Sequence, residues 1–385
     1  MGQVTVWTGC FVALIFLQFA SAYKLVCFFT HWSQFRESTG RFVPANIDPN
    51  LCTHIIYAFT NIKANEIGSA EWNDASVYRE LNGLKSRNPN LKILLSIGGY
   101  NLGSEPFRNV TESAATRSKF ARSVILSVQR NNCDGIDIAW HISEQSDKHR
   151  LTELLQDLDS LFKREARKQR KEKLILSVSI PAGKEAIDKG YDIQKISEYV
   201  DFINFQTYDF HGSWESHTGH VSPLQKSSSD SGSASSYNVD FAVKYLKEMG
   251  APEEKIIMGI STYGRSFTLA SRQSLLGAPA SGGGSAGAFT KASGMLAYYE
   301  ICGFNHGAIK RWIDEQAVPY SYKGNQWVGY EDVKSVKIKV QYMKANNLGG
   351  ITVWALDLDD FSGSFCNQGK YPLLDAIKKE MDKTI

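Results

Sequence analysis

The chain has 385 residues, 43% hydrophobic and 22% charged, with 43 basic against 40 acidic side chains and a net charge of +3. That balance excludes a disordered effector and a small disulfide-knit scaffold, and it sets up no global field that would draw nucleic acid. No uncharged apolar run reaches the ~20 residues that a membrane-spanning helix needs, so membrane insertion is not expected.

Taken in chain order, positions 1–22 carry no charged side chain, run apolar from Cys10 to Ala20 and close on Ala20-Ser21-Ala22. This reads as a secretory signal peptide cut before Tyr23, which makes the remainder a secreted, extracellular protein. Short apolar runs then recur at Leu25–Phe29, His54–Phe59, Ile93–Ile97, Gly135–Trp140, Leu174–Ile180, Phe202–Tyr208, Ile256–Ile260 and Gly350–Trp354. Most lack strict alternation, as parallel strands covered on both faces do. Between them, Ala75–Arg87, Ala115–Asn131 and Leu151–Arg170 have apolar residues at helical spacing. Eight strand-then-helix units in order predict an α/β fold, a (βα)8 TIM barrel.

A barrel of this kind takes ~250 residues, and the step from Ile260 to Gly350 far exceeds one unit. The seventh connection is therefore expected to hold a small α+β insertion domain over 264–331, with the barrel formed by 23–263 and 332–385. Its text mixes a glycine-rich loop, Gly282–Gly287, with aromatic strand-like pieces at Leu296–Ile301 and Gln326–Tyr330. Ser227–Ser236 reads as a loop. After removal of Cys10, five cysteines remain, and an oxidising compartment favours pairing. Cys27 with Cys52 is expected because both lie on or beside the first two strands. Cys302 with Cys366 would tie the insertion to the C-terminal segment, leaving Cys133 as a small buried hydrophobe. Asn109-Val110-Thr111 is a glycosylation sequon, so Asn109 is a candidate glycan carrier.

On the fourth strand, Asp134-Gly-Ile-Asp137-Ile-Ala139-Trp140-His141 carries the most informative pattern. Alternation places Asp137, Ala139 and His141 on one face and Ile136, Ile138 and Trp140 on the other. The apolar set suits the layer between barrel and helices, so the first set lines the interior, with His141 at the C-terminal mouth where barrel enzymes keep their chemistry. Trp140 is then a core residue.

This segment fits the frame Asp-x-x-Asp-x-Asp-x-Glu, and with it the sequence resembles glycoside hydrolase family 18, the chitinase family. Further matches are Ser96-Ile97-Gly98-Gly99, Tyr208-Asp209, Tyr263-Gly264-Arg265-Ser266-Phe267 and Trp354. Tyr23-Lys24-Leu25, Cys52–Tyr57 and Val353–Asp360 look like the chitinase-like lectins of the cartilage-glycoprotein type. The resemblance implies a substrate-assisted hydrolysis in which a Glu protonates the glycosidic oxygen and an Asp steadies the charged ring formed by the sugar's own N-acetyl group. Here those two positions hold His141 and Ala139, so Asp134, Asp137, Ala139 and His141 are read as vestiges of a catalytic motif and no enzyme activity is expected. Proton transfer by a placed acid is worth about 10²–10⁴-fold, and alanine supplies neither charge nor hydrogen bond. Ile142 and Ser143 also replace the family's Tyr-Pro, and Gln206 stands where Met is usual.

The sugar-holding residues mostly survive. By resemblance, Trp354 floors the deepest subsite, Trp32, Tyr100, Trp214 and Trp72 extend a stacking platform, and Asn101, Tyr208, Asp209 and Arg265 hydrogen-bond hydroxyl and N-acetyl groups. Trp312 and Trp327 are read as packing in the insertion. Neither a metal nor a cofactor is called for. Lys163–Lys173 has seven basic residues in eleven, a run that can hold a heparin-like polyanion but that also suits a solvated helix end. The expectation is a secreted, monomeric, non-catalytic lectin for chito-oligosaccharides or related N-acetylglucosamine glycans. Two other readings stay open: a weak chitinase using His141 as its acid, and a signalling or matrix protein that binds proteins or heparin and keeps a vestigial cleft.

Overall fold

The computed structural model describes residues 23–383; the signal-peptide reading of 1–22 lies outside the described residues. In chain order the strands are β1 (Lys24–Thr30), β2 (His54–Lys63), β3 (Glu66–Gly68), β4 (Lys92–Gly98), β5 (Gly135–Ala139), β6 (Ile175–Pro181), β7 (Phe202–Gln206), β8 (Ile256–Ser261), β9 (Tyr263–Leu269), β10 (Ala280–Gly283), β11 (Met295–Ala297), β12 (Ile309–Ile313), β13 (Val318–Lys323), β14 (Gln326–Gly329) and β15 (Gly350–Trp354).

Eight of these, β1, β2, β4, β5, β6, β7, β8 and β15, pair in parallel, and β1 joins both β2 and β15, which closes the barrel. Their burial is nearly continuous, which is why the sequence shows runs instead of alternation. The helices Asp74–Gly83, Ala114–Arg130 and Lys148–Gln169 cover the outside with one apolar stripe each.

Between β8 and β15 the chain leaves the barrel and builds an antiparallel sheet in the order β10-β9-β14-β13-β12, with β11 paired to the opening residues of β9, Tyr263 to Arg265. Its own small core stacks Trp327 on Tyr320 and sets Phe267 edge-on to Trp327, while Trp312 lies under the Lys334 ammonium, 3.7 Å from its ring centre. The segment Leu296–Ile301 departs from the strand expectation. After the short β11 it turns helical at Tyr298–Phe304, because Glu300 reaches back to accept the Ala297 N–H and seeds a helix start. The serine-rich stretch ends in a 3₁₀ turn, Gly232–Ser236.

Two disulfides, Cys27–Cys52 and Cys302–Cys366, are formed. Cys133 is free and buried, and burial pushes its thiol up to about 11, which keeps it unreactive. The acidic end of the motif Val353–Asp360 turns out to be structural. Asp357 pairs with Arg36 at 2.7 Å and accepts the Thr30 hydroxyl, Asp359 receives the N–H groups of Leu373 and Leu374, and Asp360 those of Gly363, Phe365 and Cys366. No helix among the described residues is long and apolar enough to cross a membrane.

Candidate functional site

A cleft of about 1220 Å³ opens at the C-terminal ends of the barrel strands. Its base is built from β5. Asp137 is fully buried and accepts four hydrogen bonds, from Ser96 Oγ (2.8 Å), Ser177 Oγ (2.8 Å), Ser179 Oγ (2.9 Å) and Asn204 Nδ2 (3.0 Å). Burial raises its pKa against those four bonds, which favour the charged form. Ala139 is buried above it and offers only backbone, its carbonyl receiving the Gly99 N–H. His141 lines the cleft beside Tyr100, edge to face at 6.3 Å, and forms no side-chain hydrogen bond with any described residue. Burial lowers its pKa, so the ring is neutral at pH 7. Trp140 points outward, stacked on Phe107 with its indole N–H donated to Ser104.

Asp134, by contrast, sits at the opposite end of the strand. It accepts the Ile93 N–H and pairs with Lys85 at 2.6 Å, so it latches the barrel's lower rim and has no place in the cleft.

The aromatic wall is contiguous. Trp354 touches Phe28, Phe59 and Trp32 at ring separations of 5.1, 5.7 and 6.3 Å. Tyr100 is 84% exposed and Trp214 61%, so each presents a free face across the opening. Trp72 is 89% exposed and stands on a rim loop outside the lining; the structure does not bring it into the cleft wall. Asn101 lines the edge. Asp209 and Arg265 form a two-pronged pair at 2.7 and 2.8 Å, and Asp209 also accepts the Tyr263 hydroxyl. The Arg265 guanidinium lies 5.3 Å over Trp214, joining the charged pair to the aromatic wall. The Tyr208 hydroxyl is buried in this lining and finds no partner among the described residues; burial drives its pKa well up, so it stays a neutral phenol.

Several lining residues escaped the sequence reading, among them His31, Phe59, Asn61, Tyr237 and Met295. His31 and Asn61 follow or end barrel strands and were open to inference from that position; Tyr237 and Met295 arrive from long loops with no periodic signal. Among the described residues no cluster of His, Cys, Asp or Glu is arranged to hold a metal ion. Asn109 is exposed on the short helix Glu105–Val110, with the Thr111 hydroxyl turned in to the Phe107 carbonyl.

A closed barrel with an aromatic cleft at its strand ends and an antiparallel sheet after the seventh strand defines the class, and the chain belongs to the glycosyl hydrolases family 18, whose family model matches residues 24–359. It is 49% identical to human (Homo sapiens) Chitinase-3-like protein 2 over 383 residues, 99% of this chain and 98% of that protein. It is 45% identical to Chitotriosidase-1 of Mus musculus over 388 residues, covering 99% and 83%. Among solved structures it is similar to human YKL-39, a pseudo-chitinase with retained chitooligosaccharide binding properties, at a TM-score of 0.92 and 49% identity, covering 94% of this chain and all of that one.

Proposed function

We propose that this protein is a secreted, non-catalytic lectin that holds chito-oligosaccharides, or related N-acetylglucosamine glycans, in the barrel cleft. The observation that carries the reading is the pairing of an intact aromatic wall with a base that has Ala139 and His141 where family 18 hydrolases place their assisting Asp and acid Glu. Sugar C–H faces stack on Trp354, Trp32, Tyr100 and Trp214, while Asn101, Tyr208, Asp209 and Arg265 fix orientation. A neutral His141 without a partner to orient it is a poor proton donor, and nothing at 139 offsets developing charge. The binding properties retained by the pseudo-chitinase YKL-39 support the same reading. We take 264–331 as the insertion domain that raises one wall of the groove, with 23–263 and 332–385 as the barrel; Asn109 as a glycan carrier; and Trp72 as an outer stacking position at most.

Calorimetric titration with a chitin hexamer, together with a sensitive assay for released sugar, tests this. Binding without turnover is expected; product above a heat-killed control that vanishes in His141→Ala would overturn it.

One observation favours a second, compatible contact. On Lys163–Lys173 the side chains of Lys163 and Lys173 are paired to Asp159 and Asp201. Arg164, Arg167, Lys168, Arg170 and Lys171 are exposed at the helix end, on the barrel face opposite the cleft. A sulfated glycan would bind there with steep salt dependence, and loss of a heparin-column shift on neutralising Arg164, Arg167 and Lys168 is the expected result.

A further inference from the structure

The loop after β7 carries Trp214 into the cleft wall, and its two limbs are tied down by backbone. Phe210 donates its N–H to the Val221 carbonyl at the base, and the far limb is stitched to the β10 segment by the Ala280 N–H on the Ser216 carbonyl and the Thr218 N–H on the Ala278 carbonyl. Between these ties the chain makes one tight turn, His211 to Glu215, closed by the Glu215 N–H on the Gly212 carbonyl at 3.0 Å. Trp214 stands on that turn, 61% exposed.

A side-chain staple holds the turn. The Glu215 carboxylate oxygens lie 3.0 and 3.1 Å from His211 Nδ1, and one of them accepts the Gly212 N–H at 3.2 Å. A carboxylate only accepts, so the ring proton on that side sits on Nδ1. The His211 ring is itself pinned: it stands edge-on to Tyr237 of the cleft lining at 5.7 Å and packs on Gly219, where a Cβ would come to 2.4 Å of it. The Trp214 indole in turn lies on Gly212, where a Cβ would come to 2.3 Å of two of its ring carbons. Gly212 has no positive φ, so glycine is there for the room it leaves the indole. Neither His211 nor Glu215 lines the cleft.

We propose that His211 and Glu215 are positioning residues for glycan binding: their bond clamps the turn so that the Trp214 indole is seated on Gly212, beside the Arg265 guanidinium, before a sugar arrives. This rests on the lectin reading above and adds that the outer tryptophan of the wall is built in place by a pair that touches no sugar. A ring left to swing would have to be ordered by the guest itself, which weakens binding.

The test is calorimetric titration of the full chain and its variants with a chitin hexamer. Trp214→Ala is expected to weaken binding about tenfold, Glu215→Ala about threefold or more, and the double variant no further than Trp214→Ala alone, because the clamp acts only through the ring. Glu215→Gln, whose amide oxygen accepts the same two hydrogens, should stay within about twofold of wild type. Gly212→Ala, which the backbone allows but the indole does not, should fall to the level of Trp214→Ala. Without any sugar, the indole N–H resonance of Trp214, assigned from its absence in Trp214→Ala, should move in Glu215→Ala and return in Glu215→Gln. Losses that add in the double variant, a resonance indifferent to Glu215→Ala, or no rescue by Glu215→Gln would each overturn the positioning role alone; a wild type that takes up no hexamer would overturn the lectin reading and the role with it.

Discussion

At the scale of single residues, what the cleft does turns on four positions of β5 and the loop that follows it, Asp137, Ala139, His141 and Ile142. Asp137 is held by four donors deep in the barrel and belongs to the fold as much as to any chemistry. On the proposed reading, Ala139→Asp with His141→Glu would set a carboxyl at each of the two positions that alternation puts on the inner face. Ile142 is buried and packs on Gly190, where even a Cβ would come to 2.9 Å of it. A tyrosine at 142 therefore has no spare room on the Gly190 side. We expect detectable chitinolysis only when Ile142→Tyr accompanies the pair; release of sugar by the double variant alone would show that the phenol is dispensable. For binding, Trp354→Ala removes the hub of the aromatic wall, and affinity for a chitin hexamer should drop by about 2 kcal/mol, roughly thirtyfold. An unchanged titration would mean that the glycan lies elsewhere. The burial of Ala139 and the solvent-facing end of the same strand were legible from alternation alone. Asp134 was misplaced, because the motif frame grouped it with the cleft residues although seven residues of near-extended chain span roughly 20 Å, too far for one site. Trp72 was not legible, because a lone aromatic on a loop carries no period to say which way it faces.

Among the elements, the junction between barrel and inserted sheet rests on charge inside the protein. Lys339, on the helix Val333–Ala345, is fully buried. It pairs with Glu331 at the exit of the sheet and donates to the carbonyl and hydroxyl of Ser222 on the loop after β7. Removing one partner leaves the other charge uncompensated, so Lys339→Met should cost about 3–5 kcal/mol, and adding Glu331→Gln should restore part of it. Urea unfolding measures both; equal stability of the two variants would mean that the pair is not coupled. The Cys302–Cys366 bond closes a loop with a sequence separation of 64 residues. Replacing both cysteines by alanine should lower stability by about 2–4 kcal/mol, read in the same assay. The strands of the barrel were readable because burial on both faces forces continuous apolar runs. The insertion was less so, since its aromatic text suits strand and helix alike, and only Glu300, three residues beyond Ala297, marked where Tyr298–Phe304 begins to coil.

For the molecule as a whole, pH is the informative variable. Burial lowers His54 to about 4 and His220 to about 3, the latter aided by the nearby Lys339 charge. Unfolded, each titrates near about 6.5. Between those values the unfolded chain binds protons that the folded chain refuses, so stability is complete above pH ~6.5 and falls as the pH drops, by up to about 1.4 kcal/mol per pH unit for each ring. Asp359, pushed up to about 7 by burial, and Asp137, raised likewise, act in the opposite sense over that range, so the His54 ring is isolated by comparison with His54→Gln: the wild-type urea midpoint should fall more from pH 7 to 4 than that of the variant, and parallel profiles would show that the ring stays hydrated in the fold. A different whole-molecule property follows from Thr262, the single residue between β8 and β9. It donates its N–H to the Trp354 carbonyl and exchanges hydrogen bonds with Ala355 through its hydroxyl. The seventh barrel strand thus runs almost without pause into the first strand of the wall that carries Arg265, and a hinge has no slack in which to work. Such a groove receives its guest ready-made, so capture should follow single-exponential kinetics whose rate climbs linearly with oligosaccharide concentration, with no plateau from a slow closing step.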